Sequence, residues 1–366
     1  MSNPTQTASN TPRKARVAIL GGGGILGAHA PGYVRLADRC EIAAVAEKNG
    51  AQHERIRKLL QRDDVPIYTD YKDVLELPGL DAVDILLPHS MHMEAAVRAA
   101  EKGLHVLCEK VMARNTHECQ AMVDACARAG VELVIMHDRR YHADWALLKG
   151  VIDSGEIGEV LFMKMEHNQN VAMGLDSWFY KKDGLGGGAI MSCLTHQIDA
   201  LRWYLGEVES VQCMGKIVPS RMEGECIGVV TARMKSGALA SLNINWHTRS
   251  CEWTGTWDPN SLWYEFNHVT GTKGEAYCMS GKGTFVKRDG ETAFTKLEPP
   301  PGVVSGHSKC VEEFVNKVSG LPAEILTPGF DSLKTVEVAE AAYLAEAQER
   351  VVKLPIVPVP WEERGY

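Results

Sequence analysis

The sequence lacks the excess basic charge, the paired cysteines and the long apolar runs that several classes of protein require. Acidic residues outnumber basic ones by 47 to 39, and the net charge of −8 at pH 7 argues against a surface that binds nucleic acid or another polyanion. The ten cysteines include no Cys-x-x-Cys pair, so we expect reduced, mostly buried thiols and a cytoplasmic protein. No apolar run is long enough to span a membrane. What is left is a globular chain of 366 residues, 45% of them hydrophobic, and about two domains.

Hydrophobic patterning divides the chain into three parts. Residues 1–14 are polar and lack the apolar segment of a signal peptide, so they predict a disordered tail. Residues 15–138 alternate short apolar runs with helix-like segments, which is typical of a Rossmann fold with a doubly wound parallel sheet. Residues 139–366 predict an α+β domain, because strands that alternate polar and apolar residues favour an open-faced, largely antiparallel sheet.

The same patterns predict individual elements. In the first domain the predicted strands are Val17–Leu20, Ile42–Ala46, Ala82–Leu87, His105–Cys108 and Glu132–Met136, and the predicted helices are His53–Gln61, Met93–Lys102 and Thr116–Ala129. In the second domain the predicted strands are Val160–Glu166, Ser210–Lys216, Ile227–Met234 and Ala238–Trp246, and the predicted helices are Ala143–Ser154, Met191–Leu205, Ser308–Ser319 and Phe330–Arg350.

A run of glycines follows the first predicted strand. Glycines let backbone N–H groups approach a pyrophosphate closely, and the helix that follows points its positive end at the phosphates. Gly22, Gly24 and Gly27 fit a G-x-G-x-x-G spacing, and a register that begins at Gly21 stays open. We predict a dinucleotide site here. Its predicted contacts are Gly22, Gly24, Ile25 and Leu26.

The second predicted strand leads into an acidic residue, Glu47, about 20 residues after the last of these glycines. A carboxylate at this position accepts hydrogen bonds from both ribose hydroxyls and repels a 2′-phosphate. Glu47 therefore favours NAD over NADP, while Lys48 beside it leaves pairing with a phosphate open.

Several further segments make the chain from Arg16 onward resemble the Gfo/Idh/MocA oxidoreductase family. They are Pro88–His92 (PHSMH), Glu109-Lys110, Asp138–Tyr141 (DRRY), Gly155–Val160 (GEIGEV), Gly186–Asp199 (GGGAIMSCLTHQID) and Gly271–Gly274 (GTKG). The resemblance implies NAD(P) in the Rossmann domain and a sugar, inositol or similar polyol in the cleft beside it. The cofactor contacts that it implies are Pro88, His89, His92, Glu109 and Lys110.

The chain departs from the family pattern at three positions. Val111 stands where Glu-Lys is usually followed by proline, and His89 stands where asparagine is common. Ser192 aligns with an acid that many members carry four residues before the catalytic histidine, so a carboxylate is not assured at that place.

The catalytic residues that we predict are Lys110 and His196. The resemblance places His196 beside the reacting hydroxyl, and an imidazole titrates near working pH, so His196 is the leading general base. Lys110 either stabilises developing alkoxide charge or is itself the base, and Glu109 orients or neutralises it.

The predicted substrate contacts surround these two side chains. Asp199 lies three residues after His196, on the same helical face, where it orients the ring or binds a sugar hydroxyl. Lys182, next to Lys181, reaches the cleft from a loop or is merely solvated. The full set is Asp199, Ser192, Lys182, Tyr141 and Trp178. We predict no metal, because His89 and His92 have no third ligand at a suggestive spacing.

The sequence leaves the function between three hypotheses. The first is an NAD-dependent dehydrogenase that oxidises a secondary hydroxyl of a sugar, glycoside or cyclitol. The second is a glycosidase that works by oxidation and elimination with recycling of NAD, and the third is a cofactor-binding sensor without chemistry. An open-faced sheet, with aromatic residues such as Trp253 and Trp257 nearby, favours a homodimer or homotetramer.

Overall fold

Two β-sheets organise residues 13–171, 174–248 and 263–364, the part of the chain that the computed structural model describes. A six-stranded sheet and a nine-stranded sheet form within this part. The tail predicted over residues 1–14 lies outside the described residues except for Arg13 and Lys14. Trp253 and Trp257 also lie outside them.

The first sheet is parallel throughout its pairings. Its strands are β1 Ala15–Leu20, β2 Cys40–Ala46, β3 Ile67–Tyr68, β4 Ala82–Ile85, β5 His105–Cys108 and β6 Leu133–Ile135. The spatial order is β3-β2-β1-β4-β5-β6, so the sheet grows in opposite directions from β1 and β4. Ligands of such sheets bind at this switch point, beyond the carboxyl ends of the strands.

Helices cover both faces of this sheet. They are α1 Leu26–Arg35, α2 His53–Leu60, α3 Tyr71–Leu75, α4 His89–Glu101 and α5 Thr116–Ala129. Helix α5 has a capped start, because the Asn115 side chain accepts the backbone N–H of Glu118 at 2.8 Å, and it ends at Gly130 with φ 67°. Helix α1 contains Pro31 and has no side-chain cap, so its place depends on tertiary contacts.

The second sheet is antiparallel except where β7 pairs with β10. Its strands are β7 Val160–Gln169, β8 Val208–Ile217, β9 Glu225–Met234, β10 Leu239–Asn245, β11 Trp263–Gly271, β12 Gly274–Met279, β13 Gly283–Arg288, β14 Thr295–Leu297 and β15 Val352–Lys353. They lie in the order β14-β13-β12-β11-β7-β10-β9-β8-β15. The remaining helices are α6 Ala143–Ser154, α7 Lys182–Leu185, α8 Thr195–Leu205, α9 Gly306–Val318 and α10 Gly329–Ala347.

The last part of the chain returns to the first sheet. Val311 and Phe314 of α9 are fully buried in one core with Val17 and Ile19 of β1. At the edge of that sheet, the backbone N–H of Ile135 donates to the carbonyl of Thr327 at 3.0 Å. The two sheets are therefore joined by packing as well as by the connection through residue 138.

The predicted fold class is confirmed, with a parallel Rossmann-type sheet followed by a mixed, largely antiparallel one. The predicted division at residue 138 stays a prediction. The segment predicted as one helix over Met191–Leu205 is instead a π-helical turn, Ile190–Leu194, that runs directly into α8.

Strand β11 was not predicted, because the first part of its buried face, ahead of Val269, is polar. Glu265 and Asn267 are 3% and 1% exposed, whereas Phe266 between them is half-buried on the other face. A pattern that assigns apolar residues to the core therefore gives the wrong face, or no strand at all.

Glu225, at the start of β9, is a buried carboxyl group with a high pKa. Its Oε1 accepts the backbone N–H of Ile190 and the hydroxyl of Tyr343, both at 2.8 Å. Burial raises the pKa of Glu225 from 4.5 to about 7, although these two hydrogen bonds act to lower it.

We expect Glu225 to make the fold less stable as the pH rises. Because its folded pKa of about 7 exceeds its ordinary value of 4.5, its stabilising contribution is complete below pH 4.5 and is lost as the pH approaches 7. The loss amounts to about 3 kcal/mol at most. Denaturant unfolding at about pH 5 and about pH 8 should show a smaller pH difference for Glu225→Gln than for wild type. An equal pH difference for both proteins contradicts this assignment, and Glu223→Gln, at an exposed carboxylate nearby, is the control.

Candidate active site

The glycine loop begins at Gly21, directly after β1. Gly21 has φ +113°, and its N–H donates to the carbonyl of Ala46 at 2.9 Å. A Cβ at this position would lie 2.5 Å from the carbonyl oxygen of Leu86, so only glycine fits. This settles the register that the sequence left open, since Gly21 makes the tight turn after the strand.

The exposed part of the loop is Gly23, Gly24 and Ile25, which line a cleft at the edge of the sheet. A Cβ on Gly23 or Gly24 would meet nothing within 4 Å, so the backbone there is open to a ligand. Neither Gly22 nor Leu26 lines the cleft, and their predicted contacts with the cofactor stay predictions. The N–H of Gly22 already donates to Glu47, and Leu26 is fully buried in the core at the start of α1.

Glu47 stands directly after β2 with its carboxylate held in place. Its Oε2 accepts the N–H of Gly22 at 3.0 Å, and its Oε1 accepts the N–H of Asn49 at 2.8 Å. From α2, the guanidinium of Arg55 donates to the carbonyls of the glycine loop at 3.2–3.3 Å. Sequence reasoning missed Arg55, because nothing in the pattern of α2 points to the loop.

The cleft encloses about 860 Å³ at the carboxyl ends of β1, β2, β4 and β5. Pro88 and His89 after β4 line it, as do Glu109 and Lys110 after β5. Trp178 and Phe179 line it from the other domain. The structure thus brings most of the predicted cofactor residues to one cleft.

The two histidines of the Pro88–His92 segment fix the loops rather than form a metal pair. His92 is fully buried, with Nε2 2.7 Å from the carbonyl of Leu87 and Nδ1 2.9 Å from that of Val111. His92 thus ties the loops after β4 and β5 together, and the cofactor contact predicted for it stays a prediction. His89 packs edge-on against Trp178, with ring centroids 5.1 Å apart, and so lies at the cleft.

Glu109 belongs to a buried ionic cluster under the cleft. Its Oε1 lies 2.7 Å from Nε2 of His29, whose Nδ1 lies 2.8 Å from Asp84. Burial opposes the charged form of His29, yet the two carboxylates raise its pKa to about 10. Burial alone would raise the pKa of Glu109, but His29 holds it below its ordinary value. His29 therefore fastens α1, and with it the glycine loop, to β4 and β5.

Ligating atoms of His29, Glu109 and His307 lie within 4.8 Å of one another, as a metal site requires. The 2.7 Å between His29 and Glu109 is, however, the length of a charge-assisted hydrogen bond. Both nitrogens of His29 face carboxylates at such distances, so we assign protons and no metal to this cluster.

Lys110 joins the two domains at the cleft. Its ammonium donates to the carbonyl of Ser192 at 3.0 Å and lies 3.8 Å from Sγ of Cys193. Ser192 belongs to the π-helical turn that leads into α8. Because the Lys110 ammonium is bonded to this turn, it lies beside the segment that carries His196. π-Helical turns are frequent at functional sites.

His196 is 6% exposed at the first turn of α8. Burial, together with the charges of Arg139 and Lys110, holds its pKa well below its ordinary value. The imidazole is therefore neutral at physiological pH, the form in which it accepts a proton.

Two of the predicted substrate contacts are structural. Asp199 is fully buried, and its two oxygens accept from Arg140 at 2.8 Å each. Tyr141 is 6% exposed in the core beneath α9, where its hydroxyl accepts the N–H of Leu326 at 2.9 Å. Both side chains are hydrogen-bonded to groups inside the protein, so neither is free to contact a substrate.

The other three predicted contacts have different positions. Trp178 lines the cleft. Ser192 is fully buried and offers its carbonyl to Lys110, so it bears on the site through the backbone. Lys182 is exposed at the start of α7 and is absent from the lining among the described residues.

Residues 15–137 match a family model described as an oxidoreductase family with an NAD-binding Rossmann fold. Residues 145–277 match the GFO/IDH/MocA C-terminal domain. The predicted cofactor NAD is confirmed by the first match.

Curated relatives match over part of the chain. A levoglucosan dehydrogenase of Pseudarthrobacter phenanthrenivorans is 32% identical over 48% of this chain and 47% of its own. An inositol 2-dehydrogenase of Streptomyces avermitilis is 33% identical over 52% of this chain and 53% of its own. The match thus spans about half the length of these relatives.

Solved structures share the fold over nearly the whole chain. A levoglucosan dehydrogenase in complex with NADH and levoglucosan has a TM-score of 0.82 at 21% identity and covers 94% of this chain and 100% of its own. The WlbA dehydrogenase of Bordetella pertussis, in complex with NADH and UDP-GlcNAcA, has a TM-score of 0.78 at 24% identity, with 94% and 100% covered.

Glu47 should set the affinity and choice of cofactor. In Glu47→Ala we expect NAD binding to weaken about 10- to 100-fold, because a hydrogen bond to a charged group contributes about 1.5–3 kcal/mol. Binding of NADP should weaken less or improve, since the repulsion of its 2′-phosphate is removed. Calorimetric titration with both cofactors measures this. Glu41→Ala, near the other end of β2, is the matched control, and an equal loss for NAD in both variants would contradict the assignment.

Proposed function

Because the chain belongs to the GFO/IDH/MocA oxidoreductase family, we propose that it is an NAD-dependent dehydrogenase that oxidises a secondary hydroxyl of a sugar, glycoside or cyclitol. One observation carries the proposal. The ammonium of Lys110, at the floor of the cofactor cleft, lies 3.0 Å from the carbonyl of Ser192, one helical turn before the neutral imidazole of His196. The ammonium at the cofactor cleft is thus bonded to the turn that leads into the helix of the proposed base.

The residues that line the cleft fit NAD. The open backbone of Gly23 and Gly24 suits a pyrophosphate, since a side chain at either position would project into empty space. The carboxylate of Glu47, already held by two N–H donors, suits ribose hydroxyls. Lys110 and His89 line the end of the cleft nearest the second domain and would border the nicotinamide.

When bound, NAD supplies the hydride acceptor for alcohol oxidation. His196 takes the hydroxyl proton, because burial and neighbouring cations keep its imidazole neutral. The ammonium of Lys110 stabilises the negative charge that develops on the substrate oxygen. Trp178 offers an apolar face at the cleft, of the kind that packs against the C–H face of a sugar ring.

The substrate class is inferred from the relatives. Proteins that act on levoglucosan and inositol match about half of this chain, and both compounds carry secondary hydroxyls on a ring.

The proposal is tested on a panel of sugars, glycosides and cyclitols with NAD. At least one should be oxidised with accumulation of NADH. His196→Asn and Lys110→Ala should each lower kcat about 100- to 10,000-fold, which is the usual contribution of acid–base and electrostatic groups. NAD affinity should change much less.

His105→Asn and Lys317→Ala serve as controls, because both residues lie away from the cleft, at the start of β5 and on α9. Product without NADH accumulation would favour oxidation and elimination with recycled NAD. A folded protein that binds NAD but turns over nothing, or a fully active Lys110→Ala, would overturn the dehydrogenase and leave a sensor.

We also propose that the open face of the second sheet joins copies of the chain into a homodimer or homotetramer in the cytoplasm. Apolar side chains stand on that face, among them Met214 and Val229, which are 72% and 44% exposed. The described cysteines are all free thiols, as a reducing compartment favours. No helix in the described ranges is long and apolar enough to cross a membrane.

A charge on this face should separate the subunits. In Val229→Asp we expect a monomer by light scattering after gel filtration, because burying an unpaired carboxylate in an interface is costly. Val303→Asp, at a valine of similar exposure in a loop, should leave the assembly unchanged. If wild type is an oligomer and Val229→Asp has the same mass, this face of the sheet is not the interface.

A further inference from the structure

Asp138 meets His196 across the junction between the domains. Asp138 opens the short 3₁₀ helix Asp138–Tyr141 that follows β6, and it is fully buried. Its Oδ1 lies 3.5 Å from Nδ1 of His196. The residues are far apart in the chain, so the contact comes from the fold alone.

Both atoms of this contact are otherwise unsatisfied. Within the described residues, neither Oδ1 of Asp138 nor Nδ1 of His196 has another hydrogen-bond partner, although both are buried. Because a buried polar atom without a partner is costly, two such atoms that face each other at 3.5 Å are the natural partners of one hydrogen bond.

We propose that Asp138 is the positioning residue of His196: it holds a proton on Nδ1 so that Nε2 is the nitrogen that accepts the proton of the substrate hydroxyl. The inference rests on the proposed function. After transfer the proton stays on the imidazole, and Asp138 stays ionised and stabilises the imidazolium.

The other oxygen of Asp138 explains how a buried carboxylate remains charged. Oδ2 accepts from the guanidinium of Arg139 and lies 3.1 Å from Nε2 of His142 and 3.4 Å from Nδ1 of His307. Burial alone would raise the pKa of Asp138, but these neighbours hold it well below its ordinary value. One oxygen is thus anchored while the other faces His196.

Other carboxylates near His196 do not fill this role. Asp199, on the same helix, has both oxygens on Arg140, so the role predicted for it passes to Asp138. Glu265 is paired with Arg139 and with Gln197. Position 192, four residues before His196 on the same helical segment, carries an uncharged serine. The carboxylate that faces the His196 ring therefore comes from another element, the 3₁₀ helix that begins at Asp138.

The first test is Asp138→Asn, which keeps the shape and removes the charge. The amide can donate to Nδ1, so the proton moves to Nε2 and the base is blocked. We expect kcat to fall about 10- to 1,000-fold with NAD affinity within about twofold of wild type.

The pH profile separates positioning from mere support of the fold. Lys110, Arg139 and His167 also act on His196 and are unchanged in the variant, whereas the carboxylate that raises its pKa is gone. The acidic limb of kcat should therefore shift to lower pH in Asp138→Asn. A structural loss would lower kcat without moving the limb.

Rescue from the neighbouring turn is the second test. Ser192→Asp places a carboxylate in the π-helical turn that precedes His196, at the position where the family pattern has an acid. The double variant Asp138→Asn, Ser192→Asp should recover at least about tenfold of the lost kcat. Asp199→Asn is the matched control, since it removes another fully buried aspartate and should lower stability without moving the pH limb.

A readout independent of activity is nitrogen NMR of labelled histidines, with the His196 signals assigned by their loss in His196→Asn. Wild type should show the Nδ1–H tautomer and Asp138→Asn the Nε2–H tautomer. The same tautomer in both proteins, or an unchanged kcat, overturns the inference. Absence of turnover in wild type would instead overturn the proposed function, while the NMR result still decides the pairing.

Discussion

Buried carboxylates must be paired, and this requirement shapes the region where the two sheets meet. Asp84, Glu109, Asp138 and Glu265 are all at most 5% exposed there. An unpaired charge at such a depth would cost several kcal/mol, so each has a cationic or hydrogen-bonding neighbour. The partners of these carboxylates come from different helices and strands. Each pairing therefore fixes the position of one element against another.

The pairings reach both halves of the site. His29 fastens the helix after the glycine loop to Asp84 in β4 and to Glu109 directly after β5. Arg139 and Gln197 both donate to Glu265, which holds the first turn of α8 against β11. The cofactor cradle and the proposed base are thus set by one connected set of charges, with Asp138 between them.

The sequence predicted the parts of the site that local pattern encodes. The strand, the glycine loop and the following acid are predictable because each lies at a typical spacing, and family motifs single out Lys110 and His196. Gly21 could not be told from Gly22, because the distinction depends on φ and on the neighbouring strand. Asp138 lies within a family motif, but its contact with His196 is a long-range one. Asp199 was chosen in its place because helical spacing cannot show that Arg140 occupies its oxygens.

Hydride transfer from a substrate carbon to NAD, in the cleft beside Lys110 and His196, is the central step of the proposed reaction. The most direct measurement uses a substrate deuterated at the reacting carbon and mass analysis of the nicotinamide after a single turnover. The deuterium should appear in the reduced cofactor, while the hydroxyl proton is released to solvent. Product whose deuterium never enters the cofactor would contradict hydride transfer to NAD.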